Sequence, residues 1–319
     1  MRNPKPWLLL ALIGACLAGA WRGNPAALAQ SAPAIRYDQA FWQRWSDGKA
    51  EVAGYELRFA RYGQERAGTA VAIVVKEDFS EADRVKADGI GAGTFPVLKL
   101  NLLKDFPTGV YDYHLMLSTF VGLKAANGLP AGATNKVSFS AQEWCGHVYQ
   151  QLLFGPRAVE DTLHSYFQSE GNRARKVKGE PGGLSEDALF LWARGLAAPA
   201  LEPGQRRQVK LFSSLQEARL AHRAAGWVDA TLSRAAQPAS VEVGAGTFEA
   251  DVFEAKLPGR SWTFWVERSG ARRLLRWKNG RETGSLLKSV RMPYWSLSGR
   301  GNERLLEQLG LKPRPPRTP

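Results

Sequence analysis

The sequence predicts a mainly β protein: an antiparallel meander forming a large curved sheet or open β-barrel, with a few short helices. Three observations carry that prediction. Several segments alternate apolar and polar residues with the two-residue period of a half-buried strand, as in Tyr55-Glu56-Leu57-Arg58-Phe59. Turns containing Gly or Pro separate these segments, the arrangement expected of consecutive antiparallel strands. The 319 residues are 44% hydrophobic, enough for a sizeable core and too apolar for wholesale disorder.

The N-terminus has the layout of an export signal. Arg2 and Lys5 precede an apolar stretch from Trp7 to Ala20, and small residues follow. Ala27-Leu28-Ala29 before Gln30 suits ordinary cleavage, giving a signal peptide over residues 1–29. Ile13-Gly14-Ala15-Cys16 resembles a lipobox, in which Cys16 would carry a lipid anchor. Both alternatives place the chain in a bacterial cell envelope, on the periplasmic side. No other apolar run approaches spanning length, which excludes a polytopic helical membrane protein. Of the two cysteines, Cys16 belongs to the signal, so Cys145 is left without an intramolecular partner and a disulfide framework is excluded.

The elements come in order along the chain. Tyr37 to Trp45 predicts a brief amphipathic helix anchored by Phe41, Trp42 and Trp45. Strands are expected over 55–59 and 69–76, joined through Gly63 to Gly68. Val97 to Leu103 alternates again, with Leu98, Leu100 and Leu102 on one face and Lys99 and Asn101 on the other. Strands over 110–121, 137–154 and 159–169 complete an N-terminal β-rich region, residues 30–171. Asn172 to Gly183 reads as a basic, Gly-rich break or mobile loop. Ser185-Glu186-Asp187-Ala188 carries the cap and early acids of a helix running to about Leu196. A C-terminal β-rich region, residues 184–311, then brings strands over 208–212, 239–243, 247–257, 261–267, 272–278 and 285–291, with the two regions able to join in one sheet. Leu215 to Trp227 fits neither period. A short helix over 302–309 precedes a Pro-rich tail, residues 312–319.

The second half resembles an uncharacterised class of exported bacterial β-rich domains, mainly over residues 160–295. The likeness rests on Tyr166-Phe167, Gly171, Asp187-Ala188-Leu189, Arg194, Gly204, Val243-Gly244-Ala245-Gly246-Thr247-Phe248, Trp265-Val266 and Leu274-Leu275. It implies an open antiparallel barrel, similar in outline to periplasmic lipoprotein carriers, and names no reaction.

One local cluster could carry chemistry. If Glu143-Trp144-Cys145-Gly146-His147 is extended, then Glu143, Cys145 and His147 share a face at about 6.5 to 7 Å spacing. Asp112 and His114 share a face of another strand. In matching register these five would line one wall, giving a thiolate with a His base or a metal-binding enzyme. The plainer expectation is a buried packing thiol and a histidine bonded to backbone. Nucleotide loops, nucleophile elbows and zincin motifs do not occur, and no cofactor is expected.

Lys and Arg number 43 against 30 Asp and Glu, a formal charge of +13 that falls to +10 once Arg2, Lys5 and Arg22 are removed. Export makes nucleic acid an improbable partner and favours an anionic membrane or polymer surface. The eleven Trp suit either a packed barrel interior or an apolar groove for a lipid or amphipathic envelope ligand. The expected function is therefore a non-catalytic envelope module binding such a component. The rivals are the Cys/His hydrolase or metal enzyme, and a structural subunit of an envelope complex pairing through its strand edges.

Overall fold

The computed structural model describes residues 35–313. The expected export signal, the expected acylation of Cys16 and most of the Pro-rich segment lie outside the described residues. After a short helix α1 (Gln39–Trp45), capped by the Asp38 side chain, the chain lays down eight strands in meander order. They are β1 (Ala50–Arg61), β2 (Gln64–Ser80), β3 (Thr94–Pro107), β4 (Asp112–Gly122), β5 (Thr134–Glu143), β6 (Gly146–Phe154), β7 (Ala158–Ser165) and β8 (Arg173–Lys178). A helical insert comes next, with β9 (Leu184–Ser185), a single 3₁₀ turn, α2 (Leu189–Trp192), β10 (Arg206–Phe212) and α3 (Leu215–Leu220). Six more strands complete the sheet: β11 (Trp227–Arg234), β12 (Ala239–Val243), β13 (Gly246–Leu257), β14 (Arg260–Glu267), β15 (Leu274–Lys278) and β16 (Glu282–Met292).

All sixteen strands belong to one sheet. Its order is β8-β7-β6-β5-β4-β3-β2-β1-β16-β15-β14-β13-β11-β10-β9, with β12 paired to β13. The two halves join where β1 meets β16, antiparallel from Ala50↔Met292 to Phe59↔Glu282. The sheet is mainly β and open, as the alternation predicts: β8 and β9 are not paired to each other. It curls far enough that side chains cross the seam. Arg175 donates to the Ala225 carbonyl at 2.5 Å, and the Trp227 indole N–H donates to the Lys178 carbonyl at 2.8 Å.

The concave side holds one continuous core, into which the insert is packed. Phe190 of α2 meets the rings of Trp262, Phe264 and Trp277 edge-on, with centroids 5.4 to 5.5 Å away. On the convex side a 3₁₀ segment, Asn302–Leu309, lays Leu309 on Ala50, Val52 and Val75 in a smaller cluster. Gly54 permits that approach, since a Cβ there would lie 2.2 Å from the Leu309 carbonyl oxygen.

Four expectations are corrected. Strands run longer than their alternating cores, because hairpin pairing extends regularity past the apolar residues: β2 begins at Gln64, leaving Tyr62-Gly63 as the turn. The basic break at 172–183 contains strand β8, which pairs with β7 from Ala158↔Lys178 to Leu163↔Arg173. Its charges mark an edge strand rather than a loop. The helix expected to Leu196 stops after α2, where Gly195 takes a positive φ; burial of the whole 184–194 stretch, not helix propensity, decides its path. The single extended stretch over 137–154 is broken by a hairpin at Trp144-Cys145.

Candidate functional site

The hairpin at Trp144-Cys145 decides where the five singled-out residues go. Glu143 pairs with Gly146 and Gln142 with His147, so Trp144 and Cys145 form a two-residue turn. Pairing puts Gln142 and His147 on one face and Glu143 on the other, because neighbouring residues on a strand point to opposite sides. Gly146 is where Tyr166 lies against the hairpin, 2.6 Å from where a Cβ would stand.

Asp112 and His114 sit on the exposed face of β4. The His114 Nδ1 lies 2.6 Å from Asp105 Oδ1 on the adjacent strand. Register runs Asp105↔His114↔Gln142↔His147 across β3 to β6, so the two histidines share the outer surface with one strand between them, about 10 Å apart by strand spacing. Cys145 is an exposed free thiol at the turn tip. Glu143 turns inward, its side chain 3% exposed. The expected common wall is therefore not formed: three residues face outward, one faces the core and one caps a turn. Cys145 is also not the buried packing thiol expected of a strand interior. Among the described residues, no three His, Cys, Asp or Glu side chains gather as a metal-binding set.

Glu143 instead helps hold α3 across one mouth of the curled sheet. Its Oε1 lies 3.5 Å from an Arg219 guanidinium nitrogen, whose neighbouring nitrogen is 3.4 Å from Glu170 Oε1. Glu170 also meets His222 Nδ1 at 2.7 Å, and the Arg219 guanidinium stacks 4.3 Å over Phe167. Beside Glu143, Tyr113 shares a 2.6 Å hydrogen bond with Tyr62 and accepts from Arg61 at 3.0 Å. Burial, then the Glu143 carboxylate, raises the Tyr113 hydroxyl well above the ordinary phenol range, so it stays neutral.

The strongest polar constellation lies deeper. Lys104 Nζ reaches both Glu282 oxygens at 2.6 and 2.8 Å and donates to Gln216 Oε1 at 2.9 Å. Glu282 further accepts from Gln216 Nε2 at 2.9 Å and the Trp277 indole at 2.8 Å, while its backbone N–H donates to Asn279 Oδ1 at 2.8 Å. Glu186, at the start of the insert, accepts from Arg260, the Trp262 indole at 2.7 Å and the Ser214 backbone at 2.9 Å. Its neighbour Asp187 accepts from the Leu215 backbone at 3.0 Å, and burial pushes its carboxyl up to about 7. Every one of these groups has partners, as buried polar atoms require. They clamp the insert into the sheet, and of them Arg260 also borders the open trough at the mouth.

Sequence reasoning missed this network, although one signal was present. Lys104 continues the inward series Leu98, Leu100, Leu102 by two residues, so strict alternation already placed a lysine in the core. Such a lysine demands a buried carboxylate, and Glu282 lay outside any pattern that would have identified it.

Among the concavities of the described residues, three bear on ligand binding. An open trough of about 1210 Å³ lies at the mouth near Arg223, Arg260, Lys278 and Arg281. A hollow of about 660 Å³ lies beside the 302–309 segment on the convex side. A smaller slot of about 240 Å³ opens at the seam, lined by Leu129, Pro130, Phe154, Pro156, Leu184 and Trp227 among others. Its walls are mostly apolar, and it leads toward the core. No described helix is long and apolar enough to cross a membrane.

Compared with family models, curated proteins and solved structures, the chain matches none. The structure bears out the fold class expected from the sequence, a mainly β protein built on one large sheet that does not close.

Proposed function

We propose that this chain is an exported envelope module that holds an apolar or amphipathic component, entering at the seam between β8 and β9. The seam slot is the observation that supports this. It places Phe154, Trp227 and Leu184 around an opening that backbone pairing leaves unsealed. At about 240 Å³ it is smaller than the several hundred Å³ typical of a drug-sized ligand site. It therefore takes a single apolar tail or terminal group, and a larger guest would have to shift the insert.

The rival readings have less behind them. The hydrolase needs Cys145 and His147 joined to a base or an orienting group, and their carboxylate neighbour Glu143 faces the core. Partner pairing through β8 meets Arg173, Arg175, Lys176 and Lys178 along that edge, the kind of charge that blocks strand addition.

Uptake of a fluorescent long-chain fatty acid by the full chain tests the proposal. Saturable binding is expected, and Leu129→Trp, at the slot's partly exposed lip, should weaken it at least tenfold. Binding that is absent, or unchanged by the substitution, would remove the slot as the site.

A further inference from the structure

Four of the large apolar side chains left in water occupy successive turns at one end of the sheet. Tyr62 (55% exposed) lies between β1 and β2, Val110 (83%) between β3 and β4, Trp144 (77%) between β5 and β6, and Tyr166 (70%) after β7. Register places all four turns at the same rim, closed by the pairs Arg61↔Gln64, Pro107↔Asp112, Glu143↔Gly146 and Leu163↔Arg173. The rings are held by neighbours rather than loose. Trp144 stacks on Tyr111 with centroids 6.2 Å apart, Tyr166 packs edge-on to Phe167 at 5.5 Å, and the Arg61 guanidinium lies 4.3 Å over Tyr62. Folding has tucked large rings such as Trp277 and Phe264 fully away, so four apolar tips in a row at one rim are not a shortage of interior space.

The remainder of that rim is basic. Ala60 donates to the Arg281 carbonyl at 2.8 Å, which sets the β15–β16 turn beside the β1–β2 turn. Lys256, Lys278 and Arg223 are exposed there, and Arg281 stands by Glu217 at 3.3 Å. Glu65, Asp112 and Asp229 are exposed carboxylates of the same rim, Asp229 paired with Lys210 at 2.8 Å, and they are fewer than its cations. A row of Tyr and Trp tips flanked by Arg and Lys suits the boundary between water and lipid, where rings sit at headgroup depth and cations meet anionic headgroups. A ring of separate turn tips also suits a deformable bilayer better than a groove-seeking peptide.

We infer that the rim carrying Tyr62, Val110, Trp144 and Tyr166 docks this protein onto an anionic phospholipid surface. The rim is separate from the seam slot, so either can fail without the other. Cys145, at the tip beside Trp144, supplies a local reporter. In the full chain carrying Cys16→Ser, a polarity-sensitive dye on Cys145 should shift to the blue with vesicles of phosphatidylglycerol and phosphatidylethanolamine. Phosphatidylcholine vesicles should require at least tenfold more lipid, and raised salt should weaken the response. The combination Tyr62→Ser, Trp144→Ser and Tyr166→Ser, all exposed, should raise the lipid requirement at least tenfold. Trp295→Ser, exposed elsewhere, should leave it unchanged. A dye that stays in water, a shift indifferent to lipid charge or to the triple substitution, or one that appears with protein concentration and no lipid would overturn the inference. Leu129→Trp should leave vesicle docking intact, which separates this result from the slot's.

Discussion

Lys104 and Asp187 show what buried ionisable groups do in this interior. Lys104 and Glu282 are almost wholly removed from water, and their pairing is completed by Gln216 and Trp277. Lys104→Met leaves the Glu282 carboxylate without its cation and should cost about 3 to 5 kcal/mol, read from urea unfolding. Adding Glu282→Gln should recover much of that loss, because no uncompensated charge remains. For Asp187 the sign is set by proton binding. The unfolded carboxyl titrates near 3.8 and the folded one near 7. Between those values the native state keeps a proton that the unfolded state has lost, so stability falls as pH rises and levels off above the upper value. Asp187→Asn still accepts from the Leu215 backbone but removes the titration. Its stability relative to the parent should rise by on the order of 4 kcal/mol from pH 4 to pH 8, measured by denaturant melts across that range. A flat difference would mean Asp187 is ionised throughout.

Elements here are decided by pairing and packing as much as by local preference. The alternation in β1 and β3 was legible because one face is apolar and the other is not. β8 was hidden for the opposite reason: Arg-Ala-Arg-Lys-Val-Lys carries charge on both faces of an edge strand, which composition alone reads as a loop. The 185–196 stretch shows its capping serine in sequence, and the Ser185 side chain does accept from the Asp187 backbone. Beyond that cap the chain makes only a turn and α2, because the insert must fit the space between Trp262, Phe264 and Trp277. The 302–309 segment depends on a missing side chain in β1. Gly54→Ala would drive a methyl group into the Leu309 carbonyl. The expected outcome is a loss of about 1 to 3 kcal/mol and faster proteolytic cutting around residues 296–312. Unchanged cutting would show that the segment is held by other contacts.

Across the whole molecule, the 319-residue chain's mainly β character and its periodic strands came from residue order, since period and turn chemistry act locally. The candidate cluster could not be judged the same way. Glu143, Cys145 and His147 are spaced as one face of a strand, yet the two residues consumed by the Trp144-Cys145 turn reverse the parity between 143 and 147. Strand order likewise needed the fold: nothing local says that β1 pairs with β16, more than two hundred residues away, or that Lys104 meets Glu282 across 178 positions. Nor could sequence gather Tyr62, Val110, Trp144 and Tyr166 at one rim, because each is an ordinary turn residue until the strands between them are counted and paired. Local alternation specifies which side of a strand is apolar. Only the closing of long-range hydrogen-bond ladders specifies which strands, turns and charges become neighbours.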